Sequence, residues 1–186
     1  MFSSRARIPI AIFLLLAGAA PCTAQSAAPT TAQCAAAKAA AKAFVKPGFA
    51  LSLEAPMPPR TFYSREVLAR TGNWFKDQPS AAALGGLYEG EQISVLQCPS
   101  VLRLARANDV EIADAALTNE GLGQPPRRKS QFVIQAGVPI LAPGGREAVM
   151  YVSISARGLG GGSDLVLLRL RHGVWRVTAS AMLSVS

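Results

Sequence analysis

Near the end of the chain, two runs alternate apolar with more polar residues regularly enough to leave the backbone few options. Ala148, Met150, Val152, Ile154 and Ala156 alternate with more polar neighbours. Trp175, Val177, Ala179, Ala181, Leu183 and Val185 do the same against Arg176, Thr178, Ser180 and Ser184. A two-residue period puts each apolar set on one face of an extended strand. Residues 165–171 and 131–141 supply two further strands. Pro139 places the latter at a sheet edge or a bulge. Pro143-Gly144-Gly145, residues 158–163 and His172-Gly173 have turn chemistry. The expected result is an antiparallel β-meander with one apolar face.

Such a face must be covered, and the preceding sequence offers helices. Thr30 followed by Gln33 is a capping-box pattern, and the alanine-rich stretch from Cys34 to Phe44 has high helix propensity. Lys38, Lys42 and Lys46 recur every four residues as a solvated stripe, and Pro47-Gly48 ends the helix. A second helix is expected after Ser64, with Val67, Leu68, Thr71, Trp74 and Phe75 on the side that covers the sheet. Residues 49–60 read as an extended connection, 77–86 as a loop and 92–98 as a strand. Residues 101–117 are ambiguous, although Val110 and Ile112 alternating with Asp109 and Glu111 favour a half-exposed strand. Residues 119–130 read as a surface loop. The fold class expected is α+β, two N-terminal helices packed on a curved antiparallel sheet, as one domain over residues 32–186.

Residues 1–24 read as an address. Arg5 and Arg7 precede an uncharged, mostly apolar run at 8–20, and small residues at Cys22 and Ala24 suit cleavage after Ala24. The run is shorter than the roughly twenty residues of a membrane-spanning helix. Lipidation at Cys22 is disfavoured by Pro21. The expectation is an exported protein, periplasmic or secreted, with a flexible tail at 25–31 and no transmembrane segment in the mature chain. Losing Arg5 and Arg7 lowers the net charge from +8 to +6. It also leaves two cysteines, Cys34 and Cys98, which in an oxidising compartment read as one disulfide. Closing so long a loop stabilises by about 4 kcal/mol in the chain-entropy treatment. Two distant cysteines and one histidine supply too few ligands for structural zinc, so no metal and no cofactor is expected.

The order of helices followed by antiparallel strands resembles the NTF2-like (cystatin-like, ketosteroid-isomerase-like) superfamily. Tyr63-Ser64-Arg65-Glu66-Val67-Leu68 is similar to the start of the second helix in secreted bacterial members. Ala148 to Val152, Gly158 to Ser163, Leu165 to Val177 and the terminal Leu183-Ser184-Val185-Ser186 are similar to the ending of many uncharacterised bacterial exported proteins. The superfamily holds isomerases, dehydratases and non-catalytic binding modules, so the resemblance implies a fold and no single activity. Its isomerases use a carboxylate with tyrosine donors; Tyr63, Tyr88 and Tyr151 match none of those roles by motif.

No catalytic set stands out. His172 lies in an expected hairpin turn, and Asp109, Glu111 and Asp114 read as the solvated face of a strand rather than an acid–base pair. Residues 158–163 are glycine-rich, but no Gly-Lys-Ser/Thr enters a helix there, so they are no phosphate loop. Two basic groups are candidate ligand sites. Arg157, Arg169, Arg171 and Arg176 can share a sheet face and clamp a carboxylate or phosphate. Arg127, Arg128 and Lys129 form a basic loop without aromatic neighbours, which argues against single-stranded nucleic acid. The function expected is a non-catalytic cell-envelope module that binds a protein partner or an anionic ligand. The alternatives are an NTF2-like enzyme using proton-transfer or lyase chemistry in a helix–sheet pocket, and an envelope protein held to an anionic surface by charge.

Overall fold

Thr30 holds an extended backbone, and its Oγ1 accepts from the Gln33 amide at 3.2 Å while its own amide donates to Gln33 Oε1 at 2.9 Å. This is the expected capping box, and it starts helix α1, Thr31–Ala41. A computed structural model describes residues 28–58, 78–118, 129–156 and 160–185. Within α1, Ala36, Ala37, Ala40 and Ala41 are buried, whereas Lys38 and the C-cap residue Lys42 face water; the helix ends at Ala41, short of the expected stop at Pro47-Gly48, so Lys46 lies beyond it. The buried side is all methyl groups, so the helix axis can lie close to its neighbours.

Strand β1, Phe49–Ser52, follows directly. It occupies what the proline content of residues 49–60 made look like a mere connection; four residues are enough because Ala50, Leu51 and Ser52 are all buried. Helix α2, Ala81–Glu89, replaces the loop expected at 77–86. Ser80 caps it, its side chain accepting from the Ala83 amide at 3.3 Å, as serine commonly does at a helix start. Gly85 and Gly86 each lower helix propensity. Yet a Cβ on Gly86 would stand 2.7 Å from Ile140 Cγ2, so the missing side chain lets α2 lie against the sheet. The strand expected at 92–98 is instead a 3₁₀ turn, Val95–Gln97, beside a single bridge from Ser94 to Gly137. Helix α3, Pro99–Ala107, carries Pro99 in its first turn, where proline costs no hydrogen bond. Strand β2, Glu111–Ala113, and the short helix α4, Ala115–Thr118, complete this part. Helices are therefore not confined to the N-terminus: α2 and α3 both separate β1 from β2. The helix expected after Ser64 lies outside the described residues, as do residues 1–24.

The disulfide expected between Cys34 and Cys98 is present, with Cα atoms 5.2 Å apart and the two residues 64 positions apart in sequence. It joins the first turn of α1 to the residue preceding α3. Ser100 Oγ adds a hydrogen bond to the Cys34 carbonyl at 3.3 Å.

The remaining strands are β3 (Phe132–Ala136), β4 (Ile140–Leu141), β5 (Glu147–Ala156), β6 (Gly161–Arg171) and β7 (Val174–Val185). Their order is β2-β1-β3-β5-β6-β7, with β4 paired to β5. The strand expected at 131–141 is thus divided, the break falling at Gly137-Val138-Pro139. The sheet is mixed rather than antiparallel: β1 runs parallel to both β2 and β3, and the other pairs are antiparallel. Parallel neighbours need a long crossover, and the segment carrying α2 and α3 provides one between β1 and β2.

The sheet is also apolar on both faces, not one. Leu51, Ile134, Met150, Val152, Leu168 and Trp175 pack with α1 and α3. Val149, Tyr151, Leu165, Leu167 and Ala181 pack on the opposite side with Ala83, Leu84 and Leu87 of α2. Beyond them, Ala50, Ala113 and Val133 form a small cluster beside Leu117 of α4. The alternation along β7 is broken as well. Leu168 pairs with Val177 but Leu167 with Ala179, leaving Thr178 as an extra residue whose Oγ1 donates to the Leu167 carbonyl at 3.5 Å. A bulge of one residue exchanges the faces beyond it. Trp175 therefore joins the α1 side, while Ala179, Ala181 and Leu183 join the α2 side.

Replacing both cysteines by alanine should lower unfolding stability by about 2–4 kcal/mol, read from urea titrations of the oxidised chain and the variant. Equal stability would mean that the cross-link adds nothing to the α1–α3 contact.

Candidate functional site

The sheet register decides which of the candidate arginines meet. Arg169 stands opposite Glu147 on β5 and opposite Arg176 on β7, and Arg171 opposite Val174. Arg169, Arg171 and Arg176 thus occupy one face at one end of the sheet. Arg171 and Arg176 are exposed. Arg169 Nη2 lies 3.6 Å from Glu147 Oε2, and Glu147 Oε1 accepts from the Ser80 amide at 2.7 Å. Two like charges directly opposite on a ladder repel, and Glu147 offsets that repulsion at Arg169. Arg157, the fourth candidate, lies outside the described residues.

Of the basic loop, only Lys129 is described; Arg127 and Arg128 are not. Its backbone is anchored by an acid. Glu111 Oε2 accepts from the amides of Lys129 and Ser130, both at 3.1 Å, and from Ser130 Oγ at 2.9 Å. Glu111 is therefore a structural clamp. Asp109 does not share a strand face with it, since Asp109 sits before β2 in the left-handed region at φ 50°. Asp114 is engaged too, its Oδ1 accepting from the Leu117 amide at 2.9 Å within α4. His172 is exposed in the β6–β7 turn, also at φ 50°.

A third site was not foreseen. Helix α1 ends at Ala41, and the chain turns through Phe44 and Lys46 before entering β1 at Phe49. Beneath this turn a cleft of about 240 Å³ opens against the sheet. Phe44 and Phe49 form one wall; Ile134, Val152, Ile154, Val166 and Val177 form the floor. Asp164 and Ser180 stand among these apolar residues. Asp164 is paired with Val152 on β5 and with Met182 on β7, and Ser180 with Val166, so the two are diagonal neighbours. Asp164 is half-buried, and that burial pushes its carboxyl above the ordinary carboxylate value. Among the described residues it has no hydrogen-bond or ion-pair partner. Lys46, at the mouth, holds its ammonium 6.0 Å from the centre of the Phe49 ring.

The signal for Asp164 was present in the sequence, as the one acid between Gly161 and Leu170. Its meaning depended on facts that alternation cannot supply: both faces of β6 are covered, and irregularities at Ser163–Asp164 and at Leu167–Leu168 set its alignment with β7.

Among the described residues no cluster of three or more His, Cys, Asp or Glu is placed to hold a metal ion, and no helix is long and apolar enough to cross a membrane. No family model, curated protein or solved structure matches the chain.

The raised pKa of Asp164 has a thermodynamic consequence. Between the ordinary carboxylate value and the higher folded-state value, the native protein holds a proton that the unfolded chain has lost. Stability therefore falls as pH rises through that window, and the loss persists above it. Asp164→Asn should melt higher than the parent at neutral pH, with the gap closing near about pH 3, where both states are protonated. Melting curves across the acid range would show it, and a gap independent of pH would refute the assignment.

Proposed function

We propose that this chain is an exported, non-catalytic binding module that takes an anionic ligand, or an acidic patch on a protein partner, at the arginine-bearing end of β6 and β7. One observation carries the reading. Arg169, Arg171 and Arg176 share one face with Glu147 as the acid paired to Arg169, leaving the exposed Arg171 and Arg176 as diagonal neighbours on adjacent strands. Guanidinium forks suit carboxylate and phosphate oxygens, and strands hold them more firmly than a loop would. The leader-like residues 1–24 and the Cys34–Cys98 disulfide support an oxidising compartment outside the cytoplasm. Helix α1 lying across β6 and β7 is compatible with an NTF2-like relationship, which belongs to this same proposal.

A second reading, proton transfer in a helix–sheet pocket, is favoured by a different observation: the half-buried Asp164 in the cleft beneath α1.

The two readings separate experimentally. Tripolyphosphate titrated into the oxidised chain at low salt should bind, and Arg171→Ala together with Arg176→Ala should weaken it roughly tenfold or more, since each charged hydrogen bond contributes about 1.5–3 kcal/mol. Undiminished binding by the double variant would remove the arginine reading. Expressed in a bacterium, the chain should be recovered outside the cytoplasm with Gln25 as its first residue by mass spectrometry. Recovery of intact chain from the cytoplasm alone would remove the export reading.

A further inference from the structure

We propose that the cleft beneath the end of α1 binds a small apolar molecule bearing a protonated amine, with Asp164 as its counter-ion and Phe44 and Phe49 as its aromatic wall. The site is distinct from the arginine face. It concerns the ligand a cleft of this chemistry selects, whether or not that ligand is transformed there.

The cleft is small, with a volume of about 240 Å³. Sites that hold drug-sized ligands begin at roughly 300 Å³. Its occupant must therefore be small, one ring or a short chain. The floor of Ile134, Val152, Val166 and Val177 selects an apolar body.

Its charge is selective as well. A half-buried carboxylate among valines and isoleucines lacks the solvation that stabilises its ionised form, and no described side chain replaces it. A ligand cation would supply what is missing. A carboxylate ligand would place like charges together, and an alcohol would leave the carboxylate uncompensated. Ser180, diagonal to Asp164 on the same face, offers a second acceptor to an ammonium that has three protons to donate. The aromatic wall favours the same ligand, because ring faces attract cations. Phe49 already holds one, the Lys46 ammonium at 6.0 Å.

Among the described residues Lys46 is the other titratable group lining the cleft, and its charge opposes a cationic ligand. It is exposed, however, so water and salt screen it. Asp164 acts from a half-buried position, where a charge of opposite sign is felt more strongly.

The test compares three probes of one shape on the isotope-labelled, oxidised full chain: phenylethylammonium, phenylethanol and phenylpropanoate. Near neutral pH the ammonium should shift backbone amide resonances of Ile154, Val166 and Ser180 saturably. It should bind roughly tenfold more tightly than the alcohol, and the carboxylate should bind weakest. Asp164→Asn, which keeps the shape and removes the charge, should bring the ammonium down to the level of the alcohol without lowering the melting temperature. Acidification that protonates Asp164 should do the same in the parent chain. Arg171→Ala with Arg176→Ala should leave the ranking unchanged, so failure here and failure of the arginine reading are distinguishable. Equal affinities for the three probes, a preference that survives Asp164→Asn, or no saturable shift in the cleft residues would each overturn the proposal.

Discussion

Strand β6 buries apolar side chains on both of its faces, and the rest of the chain is arranged around that requirement. Leu165 and Leu167 point to the α2 side, Val166 and Leu168 to the α1 side. Each fully buried Leu or Val is worth about 1.5–3 kcal/mol relative to exposure, so neither face can be left wet. Cover on both sides follows: α1 and α3 on one, α2 on the other. The paired strands are drawn in as well, because β5 buries Met150 and Val152 on one side and Val149 and Tyr151 on the other.

The two covers are built differently. On one side, α1 and α3 meet through small residues and are cross-linked by Cys34–Cys98, so the layer is covalently fixed. On the other, among the described residues, the cover is the short helix α2, whose close approach depends on Gly86 meeting Ile140. The cleft arises because α1 stops at Ala41, short of the full width of the sheet. Phe44 and Phe49 roof part of the remainder, and Phe49 is steadied by a stacked Phe132 with ring centres 5.2 Å apart. The end of the helix leaves the concavity, and the register of β6 seats Asp164 in it.

Much of this was legible in the residues. The strands from Glu147 onward, the capping box at Thr30 and Gln33, the solvated Lys38 of α1 and the Cys34–Cys98 pair all follow from local chemistry or simple counting. What misled was equally local. Gly85 and Gly86 weaken a helix in isolation, but contact with Ile140 turns the absent side chain into an advantage. The prolines after Phe49 concealed a buried strand of four residues. Glu111 read as part of a solvated strand face, whereas its carboxylate clamps the backbone of Lys129 and Ser130. The shared face of Arg169, Arg171 and Arg176 was half legible: Arg169 and Arg171 are two residues apart on one strand, whereas Arg176 joins them only through the β6–β7 register.

By itself the sequence determined the period of the C-terminal strands, the chemistry of their turns, the start of the first helix and the pair of cysteines able to bond. Each depends on residues close in the chain, or on a count of two. Tertiary structure decided the parallel pairing of β1, the two-sided burial of the sheet and the exchange of faces at Thr178. It also decided the seating of Asp164 in an apolar cleft. These depend on which distant surfaces meet, and alternation along one strand states that a face is apolar without stating what will cover it.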